Sequence, residues 1–327
     1  MRALVTGGTG FVGSHIVREL NEQGHEVTVL HRTTSKLDAL AGLDYESAIG
    51  DVTDLDAMRK AFQGMDWVFH VAAVADYWRA NKQHMFDVNI EGTRKVLQAA
   101  REAGVRRVIF TSSVAAIGVR GSGRLADESM PFNLPRRIFP YGYSKARAEG
   151  VVAEAVAQGQ DVVTVNPVII MGPGDLNMIS GTFVVQLWRY RGLTPITNGG
   201  TAFTDVRDIA RWHVAAAEKG RMGERYILST ANYDYKTWFS MIAKALGIAA
   251  PRLVAPTPLL PLAATAIDIA RMVGIPTPID ANQVRLGGRY VYVDNSKCVA
   301  ELAAPQIDMA QSLNDTVRWY QEHGFLR

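Results

Sequence analysis

Short apolar runs alternate with stretches whose apolar residues recur every three or four positions. The runs are Arg2 to Thr6, Glu26 to Leu30, Tyr45 to Val52, Trp67 to Ala72, Arg107 to Ser112 and Asp161 to Asn166. Arg2 to Thr6 reads as a buried strand, and the others as strand-like runs. Between them, helices are predicted from Phe11, with Val12, Ile16, Val17 and Leu20 on one side, and over Leu55 to Gln63, Met85 to Ala103 and Tyr141 to Gln158. Strands alternating with helices of this length predict an α/β fold, a doubly wound parallel sheet.

The pattern changes after Pro167. Gly172-Pro173-Gly174 reads as a loop, and residues 192–200 are rich in Pro and Gly. A helix over Asp205 to Lys219 and a strand over Arg225 to Ser229 are expected to return to the sheet. The expected division is therefore a sheet domain of residues 1–166, rejoined by about 201–230, and a smaller C-terminal lobe of 167–200 and 231–327. The longest apolar stretch, Leu253 to Ile275, is interrupted by Pro256, Pro258, Pro261, Asp268 and Arg271. That argues against a bilayer span and favours an amphipathic helix packing the lobe over a membrane-surface contact.

Chemistry enters at Thr6-Gly7-Gly8-Thr9-Gly10-Phe11-Val12-Gly13, between the first strand and the first helix. Gly8, Gly10 and Gly13 have G-x-G-x-x-G spacing, and Gly7, Gly10 and Gly13 fit the looser T-G-x-x-G-x-x-G. Glycines in a strand-turn-helix let a pyrophosphate approach the backbone, where the amides around Thr9, Phe11 and Val12 and the positive helix end face it. The expected fold is thus of Rossmann type, binding NAD(P).

An acid at the end of the second strand would accept from the 2′-hydroxyl of NAD. This chain has His31-Arg32-Thr33-Thr34-Ser35-Lys36 instead, with no Asp or Glu before Asp38. Arg32, flanked by His31 and Lys36, suits a 2′-phosphate, so NADP(H) is the expected cofactor and NAD(H) the alternative. A solvated basic loop is the bland reading. Asp51, followed by Val52, could accept from the adenine amino group or cap the next helix.

Composition narrows the field modestly. The 35 Lys and Arg against 32 Asp and Glu leave a charge of +3, with no long basic run to suggest nucleic acid. Cys298 is the single cysteine, so no intrachain disulfide forms. The seven histidines show no metal-ligand spacing, and no metal is expected. The first strand begins too early for a signal peptide, which makes the cytoplasm the expected compartment. A small-molecule substrate is expected, and self-association stays open.

Tyr141 and Lys145 stand four apart on a predicted helix and share a face. An ammonium there is expected to lower the phenol's pKa from about 10 toward working pH, making Tyr141 a general acid/base. Tyr143 faces elsewhere and is assigned to substrate contact or packing. Thr111-Ser112-Ser113 ends the fifth strand, at the sheet edge where ligands collect in such folds.

With these motifs the chain resembles the extended short-chain dehydrogenases/reductases, a group that includes dihydroflavonol reductases, cinnamoyl-CoA reductases, hydroxysteroid dehydrogenases and nucleotide-sugar epimerases. TGGTGFVGSH, GDVTD, FHVAA, VNIEGT, FTSSVAAIG, YGYSK, VNPVIIMGPG and FTDVRDIAR occur in the family's order. The resemblance implies that Ser113 is the catalytic hydroxyl, Tyr141 the general acid/base and Lys145 the ribose-binding lysine, with Asn89 behind the site. Val71, Ala72, Ala73, Thr111, Ser112, Asn166, Pro167 and Val168 would line the cofactor. Each role has a plainer alternative: Ser113 as a strand-end cap, Asn89 as a helix-interior side chain bonded to backbone.

The expected activity is NADPH-dependent reduction of an aldehyde or ketone on a small, hydrophobic substrate. Val114 and Ala115 stand where the family's dehydratases carry an acidic pair. A nucleotide-sugar epimerase using NAD is the competing enzyme, and a dinucleotide-binding sensor the non-catalytic one.

Overall fold

The computed structural model describes residues 1–75, 81–121, 123–178, 180–193, 195–275, 277 and 281–326. The apolar runs become β1 (Arg2–Thr6), β2 (Glu26–His31), β3 (Glu46–Ile49), β4 (Trp67–His70), β5 (Arg107–Thr111) and β6 (Val162–Pro167). Three further strands, β7 (Ile169–Met171), β8 (Ile196–Thr197) and β9 (Gly200–Asp205), lie outside this sheet, and β10 (Arg225–Leu228) returns to it. The order is β10-β6-β5-β4-β1-β2-β3, parallel throughout. The order reverses at β1 and β4, and a crevice therefore opens at their carboxyl ends.

Successive strand residues feed opposite cores, as the two-residue period requires. Val5, Val29, Phe69, Ile109 and Val165 pack with α1 (Phe11–Glu22) and, from further along the chain, Val206–Lys219. Leu4, Leu30, Val68, Val108 and Phe110 pack on the other side with α2 (Leu55–Ala61), Thr93–Glu102 and Pro140–Ala157. Helices on both faces make this a Rossmann-type, doubly wound fold.

One predicted helix is not continuous. In place of Met85 to Ala103 stand α3 (Lys82–Phe86), a wide π-turn over Asp87–Gly92 and α4 (Thr93–Glu102). The side-chain oxygen of Asn81 accepts from the amides of Gln83 and His84 and so starts α3 three residues early. The predicted Tyr141 helix is α5 (Pro140–Ala157), with proline at its first position.

Beyond it lie α6 (Thr182–Arg189), α7 (Val206–Lys219), β11 (Ala231–Asp234), α8 (Tyr235–Leu246), β12 (Val254–Ala255) and α9 (Leu260–Met272). The chain continues through α10 (Ala281–Gly287), β13 (Tyr290–Val291), α11 (Ser296–Glu301) and α12 (Met309–Glu322). β9 joins β7, β11 and β13 in a small mixed sheet, and β8 pairs with β12. Phe203 stacks on Trp238 with centroids 3.6 Å apart, centring a core shared by α6, α8 and α12.

Polar joints tie this core to the large sheet. Arg207 bonds both Asp205 and Asp315, the Asp208 carboxylate accepts from the amides of Gln306 and Ile307, and Thr316 accepts from Gly172 N–H. One expectation is met only in part. Among the described residues of α9 only Leu260 and Ala264 are buried, while Leu262, Ile269 and Met272 face outward. The helix packs on α10, where Arg285 pairs with Asp268, but among the described residues nothing covers its outward apolar side. No helix among the described residues is long and apolar enough to cross a membrane.

Candidate active site

The glycine turn is built as a cradle. Gly7 has φ +72°, and a Cβ there would meet the Ala72 backbone nitrogen at 2.7 Å. At Gly13 it would strike the Gly7 carbonyl oxygen at 2.2 Å. These two glycines are therefore required by the turn itself. Gly8 instead packs on Val29, so the triplet that shapes the turn is Gly7, Gly10 and Gly13. Gly10 differs, because a Cβ there would meet only the Gly7 carbonyl oxygen, at 3.3 Å, and otherwise points into open space.

No side chain caps the N-terminus of α1. Its first-turn N–H groups and half-buried Thr9, Phe11 and Val12 border that space, an arrangement that fits a dinucleotide pyrophosphate. On the far side Thr6 Oγ1 accepts from the amides of Val71 and Ala72, holding the chain after β4 against the turn. Val71, Ala72 and Ala73 are all half-buried there.

Two carboxyl ends further along the sheet, Ser113 leaves β5. Its Oγ accepts from Ala115 N–H at 3.1 Å, so the strand-end cap is real. The same hydroxyl hydrogen-bonds Tyr141, and capping thus aims it rather than occupying it fully. Tyr141 was expected to be acidified by Lys145. Instead, desolvation of the phenol dominates and pushes its pKa up to about 12, with the Ser113 hydrogen bond opposing.

Lys145, one turn along α5, is buried and donates Nζ to the Thr111 carbonyl at 2.9 Å. Burial lowers its pKa to about 8, with Glu149 opposing. Tyr143 packs edge-on against Phe86 and Phe132, with the Arg136 guanidinium 5.0 Å over its ring. It belongs to an aromatic cluster beside the site.

Asn89 sits in the π-turn, and its side chain does not bond back along its own helix. Its Oδ1 accepts from Val74 N–H at 2.8 Å, and its Nδ2 donates to the Val74 carbonyl and to Ser144 Oγ. It thus staples the segment after β4 to α5. Such bulges recur at functional sites because they re-aim one side chain out of register.

A family model described as the NAD dependent epimerase/dehydratase family matches residues 3–229. The chain belongs to that family. A Synechocystis sp. protein named provisionally as a dihydroflavonol 4-reductase is 36% identical over 99% of this chain and 95% of its own length. Sterol demethylase protein B of Methylococcus capsulatus is 33% identical over 100% of both chains. Among solved structures, gox2253 superimposes with a TM-score of 0.88 at 32% identity, covering 99% of both chains. A double mutant of DesIV, the dTDP-glucose 4,6-dehydratase of Streptomyces venezuelae, solved with NAD bound, gives 0.78 at 26% identity, covering 98% of this chain and 97% of its own.

This member of the epimerase/dehydratase family is an NAD(P)-dependent oxidoreductase of the extended short-chain dehydrogenase/reductase type. Its other sequence-predicted residues fall around the same crevice. Arg32 and Lys36 are exposed past the end of β2, where Arg32 N–H bonds Ser35 Oγ. His31 is buried, with its ring nitrogens at Ser47 Oγ and the Arg32 carbonyl, so it braces the loop from below.

Asp51 holds Thr53, and the cap of α2 is Asp54 instead. Val52 is buried beneath. Asn166 donates Nδ2 to the Ser113 carbonyl at 3.0 Å, and its buried Oδ1 has no partner among the described residues. Pro167 and Val168 follow, buried at the end of β6.

Several participants escaped the sequence reading. His70, known there only as one of seven histidines, is buried between Thr6 and Thr93. Thr93 donates to the Asn89 carbonyl, so it accepts from His70 Nε2–H, and Nδ1 accepts from Thr6. The imidazole is thereby fixed in one tautomer, and burial holds its pKa near 3. The FHVAA motif contained it, yet no periodicity distinguishes a buried linking histidine. Glu149 and Arg225 were missed for the same reason.

Proposed function

We propose that this protein is an NADPH-dependent reductase acting on the carbonyl of a small hydrophobic substrate. The observation that carries this reading is the arrangement of Tyr141, hydrogen-bonded to Ser113 and one helical turn from buried Lys145; burial keeps the phenol protonated and so able to give a proton. A dihydronicotinamide held in the glycine cradle would supply the hydride. As the carbonyl carbon gains it, Ser113 donates a hydrogen bond to the oxygen and Tyr141 gives that oxygen its proton, leaving an alcohol. Lys145 holds the ribose and offsets the phenolate charge that appears.

Residues 1–166 and 201–230 hold the cofactor in this reading, and 167–200 with 231–327 close the substrate pocket over an aromatic group that the sheet domain supplies beside Tyr141. Phe139 lies edge-on to Tyr141, at 6.3 Å, and the Phe86, Phe132 and Tyr143 rings lie nearby. Such walls favour an apolar substrate. NADPH is preferred because Arg32 and Lys36 stand exposed where an acid would select NAD. The provisional reductase name of the Synechocystis relative agrees. The likeness to the NAD-bound dehydratase favours the second reading, a nucleotide-sugar epimerase that retains NAD.

The test is oxidation of NADPH by purified protein across a panel of aldehydes and ketones. Turnover is expected with at least one, lost in Tyr141→Phe with NADPH binding kept, and shifted toward NADH in Arg32→Asp. Tightly bound NAD with no net oxidation establishes the epimerase instead.

A further inference from the structure

Tyr141, Lys145 and Glu149 follow one another at four-residue intervals along one face of α5. The third has no part in the chemistry above. Its carboxylate is nonetheless among the most heavily bonded groups near the site. Oε1 accepts from Ser112 Oγ at 2.5 Å and from Asn166 Nδ2 at 2.6 Å, and Oε2 accepts from Arg225 at 2.7 Å. Arg225 also donates to the carbonyls of Glu128 and Met130. The same Asn166 amide holds the Ser113 carbonyl. Two consecutive residues at the end of β5, the second carrying the hydroxyl beside Tyr141, are therefore anchored on one carboxylate.

The surroundings of Lys145 make the charge of that carboxylate matter. From β5 it meets the Thr111 carbonyl and the Phe110 ring, whose centroid is 5.4 Å away. From β4 it faces His70, and from α7 His213 reaches the Thr111 hydroxyl. Burial keeps both imidazoles neutral, near 3 and 4. Tyr141 is protonated, and Arg225 on β10 is a cation lying behind Glu149. Among these groups Glu149 alone is negative.

We propose that Glu149 is a positioning residue that anchors the strand end bearing Ser113 and stands, one helical turn away, as the counter-charge to Lys145, with Arg225 moderating that charge. This rests on the roles given above to Ser113, Tyr141 and Lys145. Without the carboxylate, desolvation acts on Lys145 unopposed. Without Arg225, the carboxylate acts at full strength.

The two neutral replacements should therefore move Lys145 in opposite directions. In Glu149→Gln the Lys145 midpoint, followed by NMR of ¹³C-lysine-labelled protein, moves down by about one pH unit; in Arg225→Gln it moves up. The alkaline limb of kcat/KM follows the same displacements, with about a tenfold loss above pH 8 for Glu149→Gln. Glu149→Asp, which keeps the charge, restores the midpoint. A purely structural role predicts lower Tm in both variants with midpoints unmoved or moved together, and that result overturns the proposal. Should Glu149→Gln not fold, the upward shift in Arg225→Gln decides. The NMR titration needs no substrate, so opposite midpoint shifts in a protein that reduces no carbonyl would sink the reductase reading and leave this one standing.

Discussion

β4 and α9 are both strongly apolar, yet every residue of β4 is buried and only two of the thirteen in α9 are. The difference is in what the chain must do next. A strand in a parallel sheet is followed by a crossover that has to lie on one face or the other, so neighbouring connections cover it on both sides. A helix in a C-terminal lobe carries no such guarantee. Apolar content therefore reports burial only where topology supplies the cover.

The widest gap between the two regions should appear on truncation. Phe69, fully enclosed in β4, is expected to cost about 3–5 kcal/mol as Phe69→Ala. Denaturant unfolding checks this, and a loss below about 1 kcal/mol would mean that the sheet core is looser than its packing indicates.

A smaller separation should appear with pH. His70 and His213 are buried and His15 half-buried in the sheet half, all three neutral, with pKa values lowered to about 3, 4 and 4 by desolvation. Unfolding returns them to about 6.5, where the unfolded chain takes up protons that the folded one refuses. Their contribution is complete above pH 6.5 and is lost as pH falls through 4 toward 3. Tm should fall over that window, and less steeply in His213→Gln; equal slopes in the two proteins would contradict the buried, neutral state of that ring.

The smallest effect belongs to α9. Leu262→Ala, at a side chain 69% exposed among those of the chain, should stay within about 0.5 kcal/mol of the unaltered protein. A larger loss, above all one that grows with dilution, would show that something covers this face in solution.

The sheet was legible because its central strands are apolar runs, while the edge strand β3, mostly exposed, shows only through its place in the alternation. The glycine cradle was legible because Gly7 and Gly13 are dictated by local backbone geometry. Ser113, Tyr141 and Lys145 stood out through motif and spacing. The sign of the Tyr141 shift did not, since an i,i+4 ammonium is visible in the sequence and the desolvation that outweighs it is not. The π-turn and the Glu149 anchorage were hidden for a related reason: Asn89 meets Val74, and Glu149 meets Arg225, only after distant segments have packed.

The wide turn at Asp87–Gly92 has one more implication. It accommodates a residue that a regular α-helix has no place for, so shortening it by a single position would leave a smoother helix while rotating everything before the cut by about 100° about the axis. Asn89 would swing off its two anchors, freeing the segment after β4 from α5. Local regularity and a working crevice are here opposed, and the chain keeps the irregular form.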